Sequence, residues 1–357
     1  MSTYTLFNGY IGAKARYTNK IKGLFDHRCT QYSEPFSGGA SIFFSMPYGK
    51  YKAEILNERN PNIANLYDLL ADKGSCDKVV EGILAIKKPD EEVARKQFAE
   101  ARKKMFPKGV RWDRVKEMNL DDRIKTAIST YLVFSQSYHC NGVNFSRLKN
   151  NEKYCNETRR NLLNAVERFQ GSQNLRIEGL DGIEMIKCVG DREQMQLYVD
   201  PPYVGMYRSC SKLYFNEMAE LKNHIALATE LAKCKCAVVL SGYRSQIDGV
   251  PTVYDAYLGE EWRCFKLAET YNNCAIVRKG QRRKRVQEYV WTNRVPDEAG
   301  RYFLMDDYKE KMSVDEYWNR IRIAIRKGVL DQNNALELEY ETTYRELYGT
   351  VLIESHV

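Results

Sequence analysis

Two consecutive prolines close a short apolar run in this chain, and they fix what that segment can be. Gln196-Leu197-Tyr198-Val199 is apolar, with a β-branched residue and an aromatic, the composition of a short buried strand. Pro201 and Pro202 lack the N–H that a sheet ladder needs, so the strand stops before them. Asp200 and Tyr203 flank the pair. A carboxylate, two rigid peptide units and an aromatic ring thus stand just past a strand's carboxyl end, where open α/β sheets build their sites. Such a group can grip a planar ring that bears an amino group. Asp200 accepts one N–H, a carbonyl of the Pro-Pro unit accepts the other, and Tyr203 stacks on the ring. An ordinary strand-end turn has the same composition.

At 357 residues the chain can bury one large core or two smaller ones. It is 43% hydrophobic and 29% charged, a globular composition, and no apolar run approaches the ~20 residues of a membrane span. Met-Ser-Thr-Tyr-Thr at the start has no basic region or apolar stretch of a signal peptide, so a cytoplasmic protein is expected. The ten cysteines are scattered without a CxxC and only four histidines accompany them. No metal is expected, and the thiols read as reduced core fillers.

The net charge of +8 is compatible with a polyanionic partner, and its distribution says more. Arg278 to Arg285 holds six cations in eight residues. The run lies between two apparent strands, Cys274-Ala275-Ile276-Val277 and Val286-Gln287-Glu288-Tyr289-Val290-Trp291, and so reads as a hairpin tip that meets phosphates. A solvated loop or a nuclear-import signal are the alternatives.

Residues 1–70 read as strand–loop–helix units, with helices expected over Thr18–Phe25, Ser41–Met46 and Asn60–Leu70. Residues 71–170 change to helical periodicity at Glu91–Met105, at Ile124–Ser135, and at Leu162, Val166 and Phe169 before Gly171. Positions 91–125 carry eleven cations against seven anions. Strand and helix alternate again over 171–295, with Leu175–Leu180 and Ala237–Leu240 as strands. Residues 296–357 add a helix that begins with a Ser313/Glu316 capping box and puts Trp318, Ile321 and Ile325 on one face.

Six segments in order resemble the Dam-like class of DNA adenine methyltransferases. Tyr10-Ile11-Gly12-Ala13-Lys14 resembles the opening Gly-x-Lys segment, and Glu34-Pro35-Phe36-Ser37-Gly38-Gly39-Ala40 the cofactor loop. Leu56-Asn57-Glu58-Arg59-Asn60 resembles the acidic ribose segment, and Asp200-Pro201-Pro202-Tyr203 the catalytic motif. Leu240–Tyr243 and Glu288–Asn293 resemble the late strands of phage and bacterial members. The resemblance implies an α/β fold, a class I (Rossmann-like) methyltransferase with an inserted helical target-recognition domain. The cofactor half is then 1–70, the recognition domain 71–170, the catalytic half 171–295, and 296–357 an extension serving as packing lid, oligomer contact or DNA arm.

The implied reaction moves a methyl group from S-adenosylmethionine to adenine N6 of a base flipped out of double-stranded DNA. Cytosine N4 is the rival acceptor, and a catalytically silent DNA-binding protein the rival of another class. The N6 lone pair is conjugated into the ring, so two acceptors on its protons and alignment with the methyl group carry the rate. By resemblance Tyr10, Lys14 and Phe36 contact the methionine end, and Glu34, Pro35, Gly38 and Gly39 shape the loop. Glu58, where the family usually has Asp, takes the ribose hydroxyls; Asp181 holds the cofactor's adenine amino group or serves as a strand-end turn. A flipped base is expected to reach Asp200, Pro201, Pro202 and Tyr203.

Phe134–Arg147 resembles the family's Asn-Gly segment, which carries DNA contacts. Tyr138, Asn141, Asn144, Arg147 and Lys149 are its candidates; the family's arginine position holds Phe145 here, with Arg147 two residues later. Arginine suits guanine and asparagine suits adenine, while Lys149 suits phosphate, as do Arg282, Arg283 and Arg285. Packing of Tyr138 and Phe145 is the alternative. A monomer is favoured.

Overall fold

The computed structural model describes residues 5–87, 90–149, 152–205, 218–247, 249–271, 285–296 and 306–330. Seven strands form one sheet: β1 Gln31–Glu34, β2 Ala53–Asn57, β3 Leu175–Glu178, β4 Met195–Val199, β5 Ala237–Tyr243, β6 Arg263–Tyr271 and β7 Arg285–Thr292. Their spatial order is β3-β2-β1-β4-β5-β7-β6. The first five run parallel, and β7 inserts antiparallel between β5 and β6.

Alternation along the central strands sends side chains to two cores. Leu197 and Val199 of β4 join one, and Tyr198 the other. The first core takes α1 Thr18–Lys22, α2 Ser41–Ser45 and α3 Pro61–Ala71, then α4 Lys73–Leu84, α6 Trp112–Lys116, α7 Leu120–Gln136 and α8 Glu152–Gln170. The second takes α9 Gly182–Val189, α10 Leu221–Ala232, α11 Val253–Tyr257 and α12 Val314–Arg326. α5 Glu91–Lys103 packs on α7 through a small cluster of Phe98, Ala101, Leu132 and Val133.

Local signals place most helix ends. Asn60 accepts the Asn62 amide ahead of Pro61 in α3, Asp90 accepts the Val93 amide in α5, and Asn119 accepts the Asp121 amide in α7. Ser313 accepts the Glu316 amide, but Glu316 pairs with Arg320 rather than reaching back, so only half the expected capping box forms.

One finding departs from the sequence reading. The partner of β7 is Arg263–Tyr271, whose register shift between Lys266 and Ala268 breaks the period-two pattern. The strand expected at 274–277, and Arg282 and Arg283, lie outside the described residues. The described part of the extension, residues 306–330, packs inward: Trp318 Nε1 donates to Tyr257 Oη at 2.7 Å, and Tyr317 and Ile321 join the second core. Ahead of it, the Tyr308 amide bonds the Cys264 carbonyl at 2.7 Å and so covers the β6 edge. No helix among the described residues is long and apolar enough to cross a membrane.

The helical segment is tied to the sheet by a buried ion pair. Arg168 of α8 meets both Glu54 oxygens, at 2.5 and 3.1 Å, donates to the Phe43 carbonyl, and lies 3.8 Å over the Phe43 ring. Both side chains are almost fully buried. Arg168→Met strands the Glu54 charge and should cost about 3–5 kcal/mol, whereas Arg168→Met with Glu54→Leu should recover most of that loss. Urea denaturation of the two variants checks this; a near-neutral single variant would show that the pair does not hold the helices.

Candidate active site

The chain leaves β1 toward β2 and β3 but leaves β4 toward β5, so the strand order reverses between β1 and β4. Loops after these two strands splay apart and leave a crevice at their carboxyl ends. Tyr10, Glu34, Pro35, Phe36, Gly38, Gly39, Glu58 and Asp181 line this cleft, with Asp200 and Pro202 on its far wall. All the residues assigned to the cofactor by resemblance therefore meet there, except Lys14. Pro201 and Tyr203 sit behind the wall.

Several groups that set the cleft's shape carried no role in the sequence reading. Asn57, fully buried at the end of β2, donates to the Pro35 and Leu180 carbonyls at 2.8 and 3.0 Å. Its oxygen accepts the Leu180 amide at 2.8 Å. One amide thus stitches together the loops after β1, β2 and β3. The Tyr10 ring lies against the double glycine: a Cβ on Gly39 would come within 3.0 Å of it, and Gly38 has φ +48°. The close approach those glycines allow is to Tyr10.

Each carboxylate has a distinct environment. Glu34 is buried and accepts Tyr32 Oη and the Phe43 amide, both at 2.7 Å, so it fixes α2 on β1. Burial pushes its carboxyl up to about 8. Glu58 accepts the Asn60 amide at 2.8 Å and lies by the Gly38 amide; burial pushes it up to about 7. Asp181 caps α9 through the Ile183 amide, and its other oxygen meets Arg59 at 2.8 Å.

Lys14 points past the cleft to Asp200. Its ammonium donates to both Asp200 oxygens at 2.9 Å and to the Gly12 carbonyl at 2.8 Å. Glu288 Oε2 stands 3.7 Å away. Burial opposes the Lys14 charge, but Asp200 and Glu288 outweigh it and hold the lysine above its ordinary range. Tyr203 is turned in: its hydroxyl donates to Asp200 Oδ1 at 3.1 Å, and its ring meets Tyr243 edge-on at 4.5 Å. Glu288 is the residue that sequence reasoning quoted without a role. Its signal was position: the first half of an antiparallel strand lies at the carboxyl edge of its parallel neighbours.

Beside the cleft, α7 ends in the expected turn. Ser137 and Phe145 form an antiparallel bridge, Gly142 has φ +70°, and Asn141 Oδ1 accepts the Val143 and Asn144 amides at 2.8 and 3.1 Å. The Asn144 carbonyl accepts the Tyr138 amide. Tyr138 and Val143 are about half exposed, at 49% and 52%. Arg147 is exposed and pairs with Glu91. Lys149 puts its ammonium 3.3 Å from Cys140 Sγ and 3.4 Å from the Asn8 carbonyl. Arg285 pairs with Glu269 across the β6–β7 hairpin at 2.9 Å.

The profile of the D12 class N6 adenine-specific DNA methyltransferase family matches residues 10–276. The chain belongs to this family. It is an enzyme that methylates adenine N6 in DNA, which favours the adenine reading over the cytosine-N4 and silent alternatives. No curated protein matches the chain. The seven-stranded α/β sheet agrees with the class I methyltransferase fold of the family. The family implies S-adenosylmethionine as methyl donor. Among the described residues, no three His, Cys, Asp or Glu side chains group as metal ligands would.

Asn57→Ala leaves the Pro35 and Leu180 groups unpaired and should lower stability by roughly 1–3 kcal/mol. Chemical denaturation without cofactor measures this directly; no change would mean that the three loops hold their places independently.

Proposed function

We propose that the cleft binds S-adenosylmethionine and that Asp200 and Pro202 receive the amino group of an adenine flipped out of duplex DNA. One observation carries this reading: the β1 loop and the Asp200 loop share a single crevice at the strand-order reversal, so a donor on one loop faces an acceptor on the other. The residues present fit the cofactor. Glu58 and Asp181 offer carboxylates, Phe36 an apolar wall, and Ser37 a buried hydroxyl with no partner among the described residues. When bound, S-adenosylmethionine supplies an electrophilic methyl group.

The protein's own part is positioning and electrostatics. Asp200 accepts one N6 proton, and its negative charge opposes the positive charge that grows on N6. Lys14 holds that carboxylate in place. Flipping the base out costs a few kcal/mol of stacking; Tyr203, turned in with its hydroxyl on Asp200, braces the acceptor. Helices and turn within 71–170 form the recognition region, with the exposed Tyr138 and Val143 at its tip. Asn144 and Arg147 read base edges, and Arg285 meets phosphate together with Arg282 and Arg283, which lie outside the described residues.

Asp200→Asn should cut methyl transfer by about 100-fold or more, with cofactor affinity nearly unchanged. Transfer of labelled methyl to duplex DNA, with calorimetry alongside, decides it; normal turnover would remove Asp200 from the chemistry.

Glu58 gives a pH test. Its carboxyl, held up to about 7, ionises as pH rises through that value, and the charged form is the better acceptor for two hydroxyls. Cofactor affinity should therefore rise from mildly acidic to mildly alkaline pH and then level off. Glu58→Gln should bind roughly 1.5–3 kcal/mol more weakly on the alkaline side and lose the pH dependence. Calorimetry across that range checks both; identical titrations would place the ribose partner elsewhere.

A further inference from the structure

Glu288 enters the site from beyond the matched span, which ends at residue 276. β7 runs antiparallel to β5 and sets Glu288 opposite Tyr243, at the carboxyl edge of the parallel strands. The side chain is buried, and its Oε2 has no hydrogen-bond partner among the described residues. That oxygen is 3.7 Å from Lys14 Nζ, just outside bonding range. An unpaired buried carboxylate oxygen carries a stability cost, so its presence asks for a use.

The use follows from counting donors. Lys14 has three N–H groups to place: its ammonium meets the Gly12 carbonyl, stands 2.9 Å from each Asp200 oxygen, and has Glu288 Oε2 as the next acceptor at 3.7 Å. Asp200 Oδ1 also accepts the Tyr203 hydroxyl. An amino group arriving at Asp200 thus meets a carboxylate whose two oxygens already share the Lys14 ammonium and the Tyr203 hydroxyl. A small shift of the Lys14 ammonium toward Glu288 Oε2 would bring an N–H into bonding range there and loosen the contact with Asp200, with little movement of either backbone.

We propose that Glu288 is a positioning residue: it takes one Lys14 N–H when the adenine amino group docks, and so opens an Asp200 oxygen to that group while Lys14 stays fully paired. The inference rests on the reading of Asp200 as the N6 acceptor. Glu288 acts through Lys14 and does not touch the base. Only its ionised form performs this role well. The ionisable groups around it are Lys14, Asp200, Tyr198 and Tyr203. Burial raises its carboxyl, Lys14 opposes that, and Asp200 adds to it. The transfer step should therefore speed up with rising pH as Glu288 ionises.

The test is single-turnover methyl transfer from S-adenosylmethionine to duplex DNA across the pH range, by wild type, Glu288→Gln, Glu288→Asp and Asp200→Asn, with thermal melts of each. The expected result is a folded Glu288→Gln with unchanged cofactor affinity, a rate lowered roughly 10- to 100-fold, and a flattened acid limb. Glu288→Asp, one methylene short but still charged, should be slowed yet keep the limb. A Glu288→Gln with the wild-type rate overturns the proposal, as does a slowed one whose acid limb is intact. If Glu288→Gln fails to fold, a folded Glu288→Asp with the wild-type rate overturns it too, and failure of both to fold makes Glu288 structural and also overturns it. Full activity of Asp200→Asn sinks the underlying reading of Asp200; an inactive Asp200→Asn beside a normal Glu288→Gln sinks this inference alone.

Discussion

A buried lysine needs a counter-charge, and in this protein the counter-charge is the carboxylate proposed to receive the base. Lys14 is 2% exposed and Asp200 lies beside it. Desolvating two charges is costly unless geometry and further hydrogen bonds compensate, and here the bidentate contact and the Gly12 carbonyl do so. The pair joins the opening segment to the end of β4. The Lys14 amide also donates to Ser41 Oγ at 3.0 Å, which ties the same segment to the start of α2. With Lys14 anchored at both ends of the residue, Tyr10 is held over the double glycine and the cleft acquires its near wall.

Other buried polar groups carry this placement outward. Asn57 sets the spacing of three loops, Glu34 sets α2 on β1, and Arg168 locks α8 to β2 through Glu54. Each satisfies several partners at once, so each fixes geometry that apolar packing alone would leave loose. The turn that follows α7 inherits its place from this frame, because α7 packs in the same core as α3 and α8. The mouth of the cleft and the exposed Tyr138 therefore stand in a fixed relation.

Much of this was legible in the residues. The strand before Asp200 ends where the prolines require, α3 begins at Pro61 behind its Asn60 cap, and α5 and α7 begin where acidic first turns announce them. The loop Glu34–Gly39, Glu58, Asp181 and Asp200, singled out in the sequence, line one cleft. Lys14 was legible as a site residue but not as the partner of Asp200. β6 was missed because its bulge breaks alternation, and Glu288 because nothing local distinguishes it from any other strand glutamate.

The sequence by itself determined the features that depend on neighbours in the chain: strand and helix limits, caps, the Asn141-Gly142 turn, and the motif order that marks the family. These follow from backbone sterics and hydrogen bonding within a few residues. Only the tertiary structure decided which charge meets which. Lys14, Asp200 and Glu288 come from three distant segments, and their contact exists because β4 is central, β5 lies beside it and β7 returns antiparallel. Strand order sets that meeting, and it is decided by the packing of the whole sheet between its two helical layers.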